Sequence, residues 1–301
     1  MMLVGAVVGS VGDGKTEVLK HLIPVLNENK KKSEKNYIAL DSEFKHIAYY
    51  EQFQDNIFLP KFLKPELKEC CHNSENFIDK IEENGCLQYL GDECDIENCG
   101  VCGLIKKMEN NYCVTCGRPL NHKSCKLTFS GIVQILMLII RGGQVSRIID
   151  EKCYGWMERL SYDDFFTFAR MSYKRGEMPY EWFKAYCMAY RFLMQLMNRA
   201  GFQKPKVMIF VETDIEIKIQ RLVKAEQEKG FRNAGLNENW YLTEEGKSYL
   251  LEISKYYQDF KRHVQKSKEW KGVKVITVNN SGTIEESINY IIEELKEIKY
   301  A

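Results

Sequence analysis

Apolar and polar positions divide the chain into two kinds of segment. Short apolar runs bounded by turn residues predict buried strands, and longer segments with an apolar residue every three or four positions predict helices. The predicted strands are 3–8, 37–40, 153–157, 206–211 and 273–278, and the predicted helical segments are 16–26, 43–91, 129–140, 164–197, 215–229, 243–264 and 284–296. Strands that alternate with helices indicate an α/β fold, a parallel five-stranded sheet flanked by helices.

A glycine-rich turn joins the first predicted strand to the first predicted helix. Residues 9–16 read GSVGDGKT and match G-x-x-x-x-G-K-[ST] in full. Glycines let backbone N–H groups turn inward around phosphates, and the following helix N-terminus adds positive potential. The motif predicts ATP and Mg²⁺ as cofactors and a P-loop kinase fold. The residues expected to bind the nucleotide and its metal are Gly9, Gly12, Asp13, Gly14, Lys15 and Thr16.

Composition and charge narrow the class of protein. At 301 residues and 45% hydrophobic content, the chain suits one large domain with a small inserted unit. A net charge of +1 gives no global attraction to nucleic acid or membrane, so neither is an expected partner. The N-terminus runs into the phosphate motif without a basic leader, and the longest apolar run, 132–140, is shorter than the roughly 20 residues of a membrane span. We therefore predict a cytoplasmic protein.

The eleven cysteines indicate a metal-binding site in addition to the phosphate-binding turn. Their odd number and the lack of an export signal argue against a disulfide framework. Two C-x₂-C pairs are separated by ten residues, and their four thiolates could form a tetrahedral site. The pattern predicts a structural Zn²⁺ bound by Cys99, Cys102, Cys113 and Cys116. The expected unit is a zinc-ribbon or knuckle-like insertion at 85–126 in a kinase domain of 1–84 and 127–301. A second metal site stays open at Cys86, Cys94, His122 and Cys125.

Three later segments resemble a known family. Residues 156–164 read WMERLSYDD and are similar to the Glu-Arg-Ser segment of the deoxyribonucleoside kinases, and 178–182 (MPYEW) and 209–216 (IFVETDIE) follow at that family's spacing. The resemblance implies ATP-dependent phosphorylation of the 5′-hydroxyl of a (deoxy)nucleoside, a small-molecule acceptor. A homodimer is considered as the assembly, although the sequence does not determine the oligomeric state.

The resemblance also implies roles for individual residues. Glu43, with Asp41 as its rival, would accept the proton of the acceptor hydroxyl, because the attacking oxygen must lose a proton during transfer. Glu158 would help to hold Mg²⁺, and Arg159 would stabilise charge on the transferring phosphoryl group. Arg221 lies where the family's lid over ATP begins.

A glutamine and an arginine are candidates for reading the base. Gln134 and Arg141 are seven residues apart on one predicted helix and so face the same way after two turns. In the family, residues of these types at this spacing contact the nucleobase, and an aspartate, here Asp164, braces the arginine. An alternative alignment replaces Gln134 by Ser130.

Two other functions stay open at this point. A thymidylate-type monophosphate kinase would need cations for the acceptor phosphate, and Arg141, Arg147, Arg170 and Lys174 could provide them. A nucleic-acid-dependent ATPase would use the zinc module to grip DNA or RNA, with 145–151 as a strand that ends in an acidic pair. The near-neutral charge and the lack of a basic stripe argue against the ATPase.

Overall fold

The fold is given by a computed structural model that describes residues 2–32, 45–50, 126–151, 153–178, 180–199, 204–229 and 240–296. The strand predicted at 37–40 and the predicted base Glu43 lie outside these ranges. The cysteine and histidine positions of the predicted insertion also lie outside them: Cys86, Cys94, Cys99, Cys102, Cys113, Cys116, His122 and Cys125.

Five parallel strands form one sheet, as the hydrophobic pattern predicted. In chain order they are β1 (Met2–Val8), β2 (His46–Tyr49), β3 (Tyr154–Glu158), β4 (Val207–Glu212) and β5 (Lys274–Asn279). Their spatial order is β2-β3-β1-β4-β5, so β1 is central and the connections leave it in both directions. In such sheets a crevice opens at the carboxyl ends of the strands where the order reverses, and ligands bind there.

Helices cover both faces of the sheet. In chain order they are α1 (Lys15–Lys32), α2 (Lys126–Asp150), α3 (Ser161–Asp164), α4 (Arg170–Lys174), α5 (Tyr180–Arg199), α6 (Ile215–Lys229), α7 (Glu244–Lys266) and α8 (Ile284–Lys296). A π-helical stretch, Phe165–Ala169, joins α3 to α4. Apolar side chains of α1 and α8 share one core with the sheet, and those of α2 and α7 share the core on its other face.

Strands β3 and β4 are buried along nearly their whole length because both faces of the sheet are covered. Every residue of β3 and the first five residues of β4 are buried. The central strand also has to leave room for a large ring, since a Cβ added to Gly5 would lie 2.2 Å from the Trp156 side chain. Only glycine at this position lets the indole of Trp156 lie flat across β1.

Two local predictions are wrong. Residues 46–49 form strand β2, although the segment 43–91 was predicted to be mostly helical, because a four-residue edge strand carries too short an apolar pattern to be recognised. Residues 145–150 belong to α2 and do not form the strand required by the ATPase hypothesis. Val145 and Ile148 are buried three residues apart, which is the helical period.

The predicted helices at 215–229 and 284–296 match α6 and α8 at both ends. Helix α7 begins directly after Thr243, whose hydroxyl accepts a hydrogen bond from the Gly246 N–H and so caps the first turn. Among the described residues, no helix combines the length and the apolar character that a membrane span needs.

Candidate active site

The P-loop curls at the carboxyl end of β1, ahead of the first turn of α1. Gly12 and Gly14 have φ angles of 86° and 83°, in the left-handed region that glycine adopts without strain. A Cβ on Gly9 would lie 2.6 Å from the Val211 carbonyl oxygen, so this position also admits only glycine. Lys15 is buried, and its Nζ donates to the Ser10 carbonyl at 2.8 Å. The loop therefore has the backbone conformation and the cation that a phosphate site requires.

Thr16 connects the P-loop to the end of β3. Its hydroxyl donates to Glu158 Oε1 at 2.8 Å, and Glu158 is only 4% exposed. The register of the sheet places Glu158 opposite Val7, next to the start of the loop. A hydroxyl and a carboxylate at this distance are oxygen ligands of the kind Mg²⁺ prefers. The residues present therefore fit the metal that the motif predicts.

Arg159 is held in an unusual backbone conformation at the same edge. It has a φ of 65°, the one positive value among the described non-glycine residues, while its N–H donates to the Val7 carbonyl at 3.0 Å. Its guanidinium lies 4.6 Å from the centre of the Phe168 ring and donates to the Tyr257 hydroxyl. Strain of this kind at a site is maintained only where surrounding contacts impose it.

Tyr257 links that arginine to a carboxylate. Its hydroxyl donates to Asp163 Oδ2 at 2.9 Å, and the other Asp163 oxygen accepts the Leu160 N–H. Burial raises the pKa of Tyr257 well above its usual range, so the hydroxyl keeps its proton and can donate. Nothing in the sequence singled out Tyr257, because its position on α7 looks like any other core position of an amphipathic helix.

Arg141 and Asp164 form a buried ion pair. Arg141 Nη2 donates to Asp164 Oδ1 at 3.0 Å, and Arg141 Nε pairs with Asp164 Oδ2. The contact predicted between these two side chains is therefore present. A bidentate pair fixes the plane of the guanidinium and leaves its outer edge as a directional donor.

Gln134 lies two turns before Arg141 on α2 and is 8% exposed. Its Oε1 has no hydrogen-bond partner among the described residues. A buried amide oxygen without a partner is costly, and a ligand that donates a hydrogen bond would remove that cost. The side chain of Ser130, the alternative to Gln134, lies outside the described part of the chain.

Arg221 of α6 contacts the turn after β5. Its Nη2 donates to the Asn280 carbonyl at 2.7 Å, and its Nη1 lies 3.4 Å from the Thr213 hydroxyl. Asn280 in turn donates from Nδ2 to the Asp13 carbonyl at 2.9 Å. A Cβ on Gly14 would lie 2.6 Å from this amide nitrogen. Arg221 thus lies beside the P-loop.

The cations suggested for a monophosphate acceptor have different surroundings. Arg141 is committed to Asp164, and Arg147 is exposed near the end of α2. Arg170 and Lys174 lie over the rings of Phe166 and Tyr256, at 5.9 and 5.8 Å from their centres. No contact on the described part of the chain brings these four groups into one site.

Comparisons with known proteins concern the family and the fold. The sequence model of the deoxynucleoside kinase family matches residues 121–299, more than half of the chain, including Gln134, Arg141 and Glu158 but not the P-loop. The structure is similar to that of deoxyadenosine kinase from M. mycoides, determined with the products dCMP and a flexible dCDP bound. The TM-score is 0.50, the sequences are 14% identical, and the alignment covers 98% of this chain and 99% of that chain. No curated protein matches the chain.

Proposed function

The chain belongs to the deoxynucleoside kinase family and is thus a nucleoside phosphotransferase, and from this premise we propose how its residues share the reaction. The hydrogen bond from Thr16 to Glu158 supports the proposal most directly. It joins the P-loop, which suits ATP, to the segment that contains Arg159 and Asp164. The γ-phosphoryl group of ATP would pass to the 5′-hydroxyl of a (deoxy)nucleoside at this junction.

The donor side of the site is the P-loop. Its backbone N–H groups and Lys15 would bind the phosphate oxygens, and the Thr16 hydroxyl and Glu158 carboxylate would hold Mg²⁺. The metal, when bound, neutralises charge on the phosphate oxygens. Arg159 would add positive charge where the transferring group carries most of its negative charge. Arg221, beside Gly14, would face the nucleotide part of the donor.

The acceptor side is the inner face of α2. We propose that Gln134 and Arg141 bind the edge of the nucleobase, with Asp164 fixing the arginine. The unsatisfied Gln134 oxygen and the rigid Arg141 guanidinium support this assignment. An amide and a guanidinium each make two directional hydrogen bonds, which suits the donor and acceptor groups of a base.

The general base needs a revised assignment. Glu43 is the expected base if the second strand spans 37–40, but strand β2 of the sheet begins at His46 and ends at Tyr49. Carboxyl ends of parallel strands meet at one edge, where the P-loop also lies. We therefore propose Glu51, the first acidic residue after β2 in the sequence, as the base. Glu43 and Glu51 both lie outside the described residues, so the argument depends on sequence position.

One set of assays tests this proposal. Purified enzyme is assayed for ATP consumption with each nucleoside and each nucleoside monophosphate, and we expect turnover with nucleosides. Glu51→Gln should lower kcat about 100-fold, the contribution of a general base. The matched variant Glu43→Gln should leave kcat within about threefold of wild type.

The opposite ranking of the two glutamine variants would return the role to Glu43. Turnover with monophosphates alone would contradict the proposed acceptor. Stimulation by polynucleotide alone would contradict kinase activity on any small molecule.

We also propose that residues 85–126 form a zinc-binding insertion within a kinase domain of 1–84 and 127–301. The two C-x₂-C pairs support it. Elemental analysis of reduced protein should find about one zinc per chain. Replacing Cys99 and Cys102 by serine should release the metal. The control Cys187→Ser, at a partly buried thiol on α5, should retain it. Zinc-free wild-type protein would contradict the proposal.

A homodimer is our proposal for the assembly, with the cytoplasm as its location. Helix α5 exposes Met188 and Phe192 by 64% and 62%, one turn apart, and α2 beside it exposes Ile139. Exposed apolar side chains on two packed helices suit burial against a second copy. Sedimentation equilibrium that finds only monomers would contradict the dimer, and cell fractionation tests the location.

A further inference from the structure

A carboxylate lies inside the P-loop itself. Asp13 is 2% exposed, and its Oδ2 accepts the Ser10 N–H at 2.5 Å, so the side chain bridges the loop from within. Phosphate loops bind their ligand through positive potential. A buried negative charge two residues before Lys15 opposes that potential unless another group neutralises it.

Lys218 of α6 is the neutralising group. Its Nζ lies 2.9 Å from Asp13 Oδ1, and the lysine is 3% exposed. The same Nζ donates to the Ser254 hydroxyl of α7 at 2.8 Å. The stem of the lysine supports the loop as well, since a Cβ on Gly12 would lie 2.6 Å from Lys218 Cγ. Lys218 therefore joins the P-loop to two helices through one buried ammonium group.

The Asp13 carboxylate borders a cavity. A cavity of about 220 Å³ lies behind the loop, and its lining includes Ser10, Asp13, Lys218 and Tyr257. Glu212 also lines it but pairs with a lysine of its own, Lys261, at 2.5 Å. Among the described contacts at this cavity, Lys218 is thus the cation that pairs with the Asp13 carboxylate.

We propose that Lys218 is a positioning residue for the donor site, which cancels the charge of Asp13 and so permits the P-loop to bind the phosphates of ATP. The inference rests on the proposed use of ATP as donor. Without Lys218, the charge on Asp13 repels the phosphates that Lys15 binds. Without Asp13, no such repulsion exists, and Lys218 adds positive potential beside the loop.

The two single substitutions therefore have opposite effects on ATP binding. Lys218→Met should raise the Kd of MgATP about tenfold or more, the scale expected for losing a charged contact in a buried site. Asp13→Asn should lower the Kd, because its side chain no longer repels the phosphates. The double variant should return to within about threefold of wild type. A purely structural role would instead make both single variants weaken binding alike.

Calorimetric titration with MgATP, without any nucleoside, measures these constants. Lys255→Met is the matched control, since Lys255 is exposed on α7 next to Ser254, and its Kd should equal that of wild type. If the Lys218→Met variant does not fold, the Kd of the double variant for MgATP tests the proposal. Binding like wild type supports the proposal, and a tenfold loss contradicts it.

Equal Kd values for all variants, or weak binding by the double variant, would overturn the inference. The failure of this inference can be distinguished from the failure of the proposed function. Wild-type protein that binds MgATP but phosphorylates no nucleoside would contradict the function alone. An active kinase whose Lys218→Met variant binds MgATP normally would contradict the inference alone.

Discussion

The Arg159→Ala variant is expected to lose about a thousandfold in kcat, the lower end of what a phosphoryl-stabilising arginine contributes. The reason is electrostatic: charge on the transferring group is greatest in the transition state, so the arginine contributes little to ground-state binding. KM values for ATP and nucleoside should therefore change by less than about tenfold. Steady-state kinetics with both substrates measure the difference.

Two further variants make this result interpretable. Arg159→Lys keeps the charge but lacks the planar fork that contacts Tyr257 and lies over Phe168, so it should remain slow. Arg262→Ala, at an exposed arginine of α7, should retain wild-type kcat. An Arg159→Ala enzyme with kcat within tenfold of wild type would show that the residue only supports the fold.

Breaking the Arg141–Asp164 pair from one side should strongly destabilise the protein. Both side chains are almost fully buried, at 2% and 3% exposure, so Arg141→Met leaves the Asp164 carboxylate without its counter-ion. We expect the free energy of unfolding to fall by about 3–5 kcal/mol. Urea unfolding followed by circular dichroism measures it. Nucleoside affinity should fall in the same variant.

A double variant separates the two effects. Arg141→Met combined with Asp164→Leu removes both charges, so most of the lost stability should return while nucleoside affinity stays low. The exposed pair of Lys247 and Glu244 is the control, and Lys247→Met should cost no more than about 1 kcal/mol. Recovery of nucleoside affinity in the double variant would remove Arg141 from the proposed base site.

Much of the fold could be predicted because its signals are long or local. Helices α6 and α8 repeat their apolar residues over three turns or more, and Thr243 caps α7 through its own side chain. Strand β2 escaped prediction because it spans four residues at the edge of the sheet. The segment 145–150 resembles a strand when its apolar residues are considered alone. Its helical period is visible only together with the buried positions that precede it on α2.

Candidate site residues could be proposed from the sequence where they are consecutive or follow a helical period. The P-loop and the Glu158–Arg159 pair are such segments, and the spacing of Gln134 and Arg141 came from a helical period. Tyr257 and Lys218 could not be found this way. Each contacts a side chain that is remote in the sequence. Tyr257 is 94 residues from Asp163, and Lys218 is roughly 200 residues from Asp13. Only the packing of the helices against the sheet brings these partners together.

The central position of β1 determines when its strand pairs can form during synthesis. Strand β1 pairs Met2 with Tyr154 and Gly5 with Val207, so its two neighbours are made about 150 and 200 residues later. Pairing across such distances slows folding and leaves apolar strands uncovered meanwhile. On the ribosome, β1 therefore waits for its first partner until β3 has emerged, about halfway through these 301 residues. Nascent chains that stop before β4 would lack a nucleotide pocket and would depend on chaperones.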